Sequence, residues 1–239
     1  MNKEEKGTMP FLNHLEEMRW RIIKSLVGIV IGAGITFIFI DPIFKILLNP
    51  AMALENPPQL QVLTVYGMFM IRWGIAIVGG IILGLPVITY QMWKFITPGL
   101  LKNEKKYAAP VIIFSFIAFI IGILFAYFVI IPFSLRFFTS IGYVDVQNNF
   151  SINYYFSYIL WILLAAGLVF ELPILVLILS QIGLLTPSFM RHYRKHSIFV
   201  ILVLSAFITP PDPISLMIMA LPLTFLYEIS IWISKFASK

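Results

Sequence analysis

The 239-residue chain contains no cysteine. That excludes a disulfide framework, a thiolate nucleophile and any cysteine metal site. Charge is scarce as well, at 12% of residues against 60% hydrophobic ones. The three histidines, His14, His192 and His196, all lie at edges of apolar runs. His192 and His196 share a helical face, but no acid sits between them and Arg191, Arg194 and Lys195 crowd them, so no metal site is expected. There is no Walker-type glycine loop, no Gly-x-Ser-x-Gly elbow and no Ser/His pair inside an apolar run. The chain therefore reads as a non-enzyme without metal, nucleotide or other cofactor. Its net charge of +6 is not a nucleic-acid footprint, because the cations cluster beside apolar segments.

What is abundant is long apolar sequence. The mean hydropathy is +0.94, more than a soluble core of this size requires. Six apolar runs stand out: Ile22–Ile40, Met68–Trp93, Ala108–Ile131, Tyr154–Ser180, Ser197–Ile208 and Ile214–Ile233. The first four are long enough for a hydrocarbon core of ~30 Å at ~1.5 Å per helical residue. The fifth reaches only ~18 Å. Three prolines in Thr209-Pro210-Pro211-Asp212-Pro213 then stop it. Runs five and six are expected to form a short hairpin that is re-entrant, thins the bilayer, or is buried in a larger bundle. The charged start and the lack of an Ala-x-Ala-like site argue that the first run stays as a span.

Of the 17 lysines and arginines, 14 fall on one side of these runs; only Lys45, Arg72 and Arg136 fall on the other. The positive-inside rule then places both termini in the cytoplasm with six spans. The expected fold is an all-α membrane protein, one polytopic domain over residues 1–239. It divides into an amphipathic cytoplasmic segment (1–21), a six-helix bundle (22–233) with its last two helices short, and a cytoplasmic tail (234–239). The first external connection carries Pro42, Pro50, Pro57 and Pro58 around Ile43–Leu48, and the second, Pro132–Asn153, is of similar length. Both suggest short helices that cap the outer face. Pro86, Pro173 and Pro222 interrupt spans and are expected to bend them.

Against this apolar background the acids are conspicuous. Glu171 is the only charged residue between Ser157 and Ser180. A carboxylate at that depth costs several kcal/mol unless it faces protein or water, which makes it a functional candidate. One expectation is a hydrated groove against the short fifth and sixth helices; the other is a protonated acid hydrogen-bonded inside a closed bundle. Phe11, Leu15, Met18 and Ile22 line one helical face of the entry segment, with Glu17, Arg21 and Lys24 on another. Glu17 is either half of an ordinary i, i+4 pair with Arg21 or a carboxylate presented at the membrane surface. Glu104, beside Lys102, Lys105 and Lys106, is the only acid in its loop.

His14-Leu15-Glu16-Glu17-Met18-Arg19-Trp20-Arg21 resembles the His-Leu-x-Glu-Leu-Arg-x-Arg entry signature of the TatC family, the polytopic subunit of the twin-arginine protein translocase. The loop Phe95…Pro98-Gly99-Leu100…Glu104-Lys105 is similar to that family's first cytoplasmic loop. Thr209-Pro210-Pro211-Asp212-Pro213 and Leu221-Pro222-Leu223…Leu226-Tyr227-Glu228 resemble its last two spans. Met18 departs from the usual leucine, a volume-conserving change.

The resemblance implies a core subunit of the inner (cytoplasmic) membrane that binds twin-arginine signal peptides. It implies work with small single-span subunits of the TatA and TatB type, in a lipid-embedded and homo-oligomeric complex driven by the proton-motive force. It assigns Glu17 and Glu104 to the arginines, with Arg19, Phe95, Pro98 and Leu100 around them, and places Glu171 at the family's mid-membrane acid. Asp212 and Pro50 are further candidates, structural or functional. A secondary transporter of a small solute or proton, built on Glu171, is the alternative.

Overall fold

The computed structural model describes residues 11–96, 108–141, 149–181 and 183–237. Among these residues the α-helices run in the order α1 (Phe11–Ile38), α2 (Ile40–Met52), α3 (Gly67–Ile96), α4 (Ala108–Phe125), α5 (Ile131–Ser140), α6 (Ile152–Phe170), α7 (Leu172–Gln181), α8 (Pro187–His192), α9 (Arg194–Ile208) and α10 (Pro213–Ala237). A π-helical turn, Ala126–Ile130, joins α4 to α5. Among the described residues, five stretches are long and apolar enough to cross a membrane: Leu15–Ile38, Gly67–Phe95, Pro110–Ser140, Ile152–Gln181 and Pro213–Lys235. This is a multi-pass membrane protein, and its helices expose the large apolar side chains that a soluble protein would bury, among them Val30, Phe114, Phe207 and Phe225.

The fifth expected span is short, as α9 has 15 residues, which is ~22 Å. The sixth is not. α10 has 25 residues and continues through Pro222, which the sequence reading treated as a break. It also passes the expected boundary at Ile233. Ser234 is buried there and accepts a hydrogen bond from Ser180 Oγ at 2.8 Å, which ties the end of α10 to α7. At the other end, α1 crosses the boundary drawn at Arg21 without interruption, because its apolar stripe passes directly into the first apolar run.

The two connections expected to form a cap do so. Strand β1 (Gln59–Gln61) pairs in parallel with β2 (Asn149–Ser151), in the register Gln59 with Asn149 and Gln61 with Ser151. α2 folds onto the bundle, with the Phe44 ring stacked on Phe156 at 4.6 Å between centroids. Pro50 lies buried within α2 and has no N–H for the carbonyl of Ile46. Tyr127, in the π-helical turn, supplies the missing donor: its hydroxyl donates to Ile46 O at 2.7 Å. Tyr155 donates to the next carbonyl, Leu47 O, at 2.8 Å. Pro50 thus leaves free a carbonyl through which α2 is tied to the π-helical turn.

α1 packs along α3 through backbone proximity. A Cβ on Gly80 would lie 2.6 Å from Ile29 O, and one on Gly32 would lie 2.8 Å from Gly80 O. Gly34 of the same helix α1 faces open space. Gly80→Leu is expected to lower stability in detergent by about 1–3 kcal/mol through overpacking. Gly34→Leu should leave the melting temperature unchanged, and equal effects of the two would contradict the contact.

Candidate functional site

Glu171 sits where one of the apolar spans breaks. Pro173 cannot donate to Val169 O, so the helix ends at Phe170 and restarts at Leu172. Glu171, at the junction, takes two donors on its backbone carbonyl, Ile174 N and Leu175 N, each at 3.0 Å. Its side chain turns toward α4. Ser115 Oγ lies 2.8 Å from both carboxyl oxygens, and Thr89 Oγ1 on α3 lies 3.0 Å from the same serine. Ser115 and Thr89 are buried. Three segments distant in sequence thus meet in one polar chain, Thr89–Ser115–Glu171.

α4 can approach α6 this closely because a glycine stands at the contact. A Cβ on Gly122 would fall 2.7 Å from Ala166 O. The carboxyl is thereby turned toward α3 and α4. The sequence expectation placed it against the fifth and sixth helices; the hydrogen bonds give it the other direction. Glu171 itself is partly exposed. Ser115 and Thr89 were missed, since an isolated hydroxyl in an apolar helix looks the same whether it bonds its own backbone or another helix.

At the charged end of α1, Arg21 Nε donates to Glu17 Oε1 at 3.1 Å and its Nη2 contacts the same oxygen. Arg19 is exposed beside this pair, and Phe95, at the end of α3, is partly buried. Glu104, Pro98 and Leu100 lie outside the described residues. On the same side of the chain's charge distribution, Glu228 of α10 accepts from Arg194 Nη2 at 2.8 Å. Tyr227 donates to Met190 O at 2.8 Å and fastens α10 to α8.

At the opposite end, Asp212 is 2% exposed. Its Oδ1 accepts from Ser215 N at 2.6 Å, the bond of an N-cap residue to the third residue of its helix. The expectation that Asp212 caps this turn thus has a precise form. Among the described residues no group of three or more histidines and acids could hold a metal ion.

A TatC family profile, described as Sec-independent protein translocase protein (TatC), matches residues 13–222. The chain belongs to the TatC family. The Sec-independent protein translocase protein TatC of Aquifex aeolicus (strain VF5) is 36% identical over 237 residues, covering 97% of each chain. That of Carboxydothermus hydrogenoformans is 40% identical over 233 residues, covering 97% of this chain and 95% of the relative. A solved structure, "Crystal Structure of Twin Arginine Translocase Receptor- TatC", superposes with a TM-score of 0.81 at 36% identity. It covers 95% of this chain and 100% of its own. The family assignment therefore rests on the full architecture and not on the entry motif alone.

If Ser115 is the donor that holds Glu171, Ser115→Ala should cost about 1 kcal/mol by leaving a half-buried carboxyl without that donor. In a double-mutant cycle, Glu171→Leu should remove most of that cost, because no acceptor then remains. Additive losses in thermal or denaturant unfolding would show that the pair is not coupled.

Proposed function

We propose that the chain is the signal-receiving core of a twin-arginine translocase. In this reading it is one six-span domain with both termini in the cytoplasm of an inner membrane. It binds peptides bearing consecutive arginines at its cytoplasmic face. It then organises small single-span subunits, in an oligomeric complex, around a translocation step that draws on the proton-motive force. No bond-making chemistry is assigned to it. Supporting this reading are the family membership, the excess of lysine and arginine on the side of the termini, and above all the state of Glu17.

That carboxylate already holds a guanidinium, the one supplied by Arg21 a single helical turn away. The site thus has the geometry and charge for arginine. An incoming signal peptide exchanges its own guanidinium for that of Arg21, and Glu104 takes the second. A planar fork matches a carboxylate in two bonds, whereas an ammonium offers a compact point charge that lysines of the chain itself supply nearby. Discrimination follows from exchange: a peptide lysine competing with a local arginine loses. Arg19, Phe95, Pro98 and Leu100 form the surroundings of the exchange.

Binding of a twin-arginine peptide to the purified chain, measured against the same peptide with two lysines, tests this directly. The arginine peptide should bind more tightly. The Glu17→Gln/Glu104→Gln variant should weaken it by about 30-fold or more, as truncating one partner of a desolvated charge pair does. Unchanged helicity would confirm an intact fold. Equal affinity for both peptides would contradict the receptor assignment.

A further inference from the structure

Arg136 is a cation that the translocase reading does not use. It lies on α5, close to the end of the apolar stretch Pro110–Ser140. Among the described residues the ion pairs join Glu17 to Arg21, Asp41 to Arg72 and Glu228 to Arg194. None reaches Arg136, not even from the exposed Glu55 just past α2. Arg136 lines a cavity of about 260 Å3 between α2 and α5. Asn49 and Pro50 stand on the α2 wall, and Tyr127, Phe128 and Pro132 on the other. The Tyr127 and Phe128 rings meet edge to face at 4.9 Å, and the Tyr127 hydroxyl donates to Ile46 O. The π-helical turn therefore holds this wall in place before any ligand arrives.

An apolar track leads away from the cavity. Ile117, Ile121, Leu124 and Phe128 follow at i, i+4, i+7 and i+11, the spacing of one helical face. All four are exposed. The track is about 16 Å long at the rise of a helix.

We propose that this cavity binds one anionic phospholipid, its phosphate paired with Arg136 and an acyl chain laid along the exposed stripe of α4.

Charge is the first reason. An arginine near the end of a span reaches for the headgroup level, and a phosphate matches its planar fork in two bonds. Asn49 adds an amide beside it. Among the described residues no acid lines the cavity. The ammonium of a zwitterionic headgroup would find no partner there, so a net negative headgroup is preferred. Shape is the second reason. Free phosphate would use Arg136 alone, whereas a lipid also covers Phe128 and the stripe that continues from it. Bound there, the lipid would tie α2 to α5 and the π-helical turn, and so brace the cap. This inference stands apart from the peptide-binding site and does not depend on it.

The test uses the purified, delipidated full chain in non-ionic detergent and phosphate-free buffer. Dioleoyl phosphatidylglycerol, dioleoyl phosphatidylcholine or soluble glycerol phosphate is added, and thermal unfolding is followed. Lipid retained by the chain is counted in parallel by native mass spectrometry. Phosphatidylglycerol should raise the melting temperature saturably, by about 5 °C once well above its dissociation constant, with a single molecule retained. Phosphatidylcholine should give a smaller shift and glycerol phosphate none. Arg136→Gln should abolish both the shift and the retained lipid. Lys45→Gln removes an exposed cation of α2 that does not line the cavity, and should keep both. Equal shifts with the two lipids, or a full shift with glycerol phosphate, would overturn the proposal. So would equal losses in Arg136→Gln and Lys45→Gln, which would mean diffuse attraction in place of a site.

Discussion

A polar atom inside hydrocarbon must find its partner within the chain, because no solvent is there to supply one. Much of this structure follows from that rule. Pro50 removes a donor from α2, and Tyr127 crosses from another segment to replace it at Ile46 O. Tyr155 serves the adjacent carbonyl. Thr36, Thr224 and Ser230 turn their hydroxyls back onto the carbonyls of their own helices, at Gly32, Ala220 and Leu226. Glu171 is the hardest case, and it is met by a serine of α4 that is itself paired with a threonine of α3, the preceding helix.

Satisfying such groups requires helices to come close, and small residues permit it. Gly80 lets the backbone of α3 approach that of α1, and Gly122 lets α4 approach α6. Within such contacts dispersion and short hydrogen bonds replace the hydrophobic drive, which is absent where lipid is as apolar as leucine. The same geometry explains why α1 can project so many apolar side chains outward: only one of its faces meets α3, and the rest is suited to acyl chains. A long helix held along one face, with a charged pair at its end, is well placed to present Glu17 without committing it to the core.

The parts of this architecture legible in the sequence are those encoded in single segments. Apolar length marked the spans. Proline marked the junction at Glu171, and the composition of the connections foretold the helices of the cap. Pairings between distant segments were not legible. Ser115 stands 56 residues from Glu171 and Thr89 a further 26 away, and no periodicity links them. Strands of three residues, as in β1 and β2, are too short for an alternating pattern to register. α10 was expected to be short from the proline turn that precedes it, yet it runs from Pro213 to Ala237, through Pro222. In a membrane a missing donor is tolerated when the rest of the helix stays packed, and Met219, Ala220 and Leu223 around it are buried.

Acids thus stand at three levels of the molecule: Glu17 at the charged end, Glu171 between α3, α4 and the broken span, and Asp212 under the cap. What unites them is that each is held by named groups of the chain, and Glu171 tests that claim most severely. The chain has no cysteine, so a thiol replacing Glu171 can be labelled alone in proteoliposomes, with Arg19→Cys as the exposed reference. If the carboxyl position is enclosed by Ser115 and Thr89, a membrane-impermeant maleimide added to either side will leave position 171 unmodified while it labels position 19 from one side. Labelling at 171 as fast as at 19 would mean that water reaches the middle of the bundle, and the enclosed polar chain would be the wrong description of it.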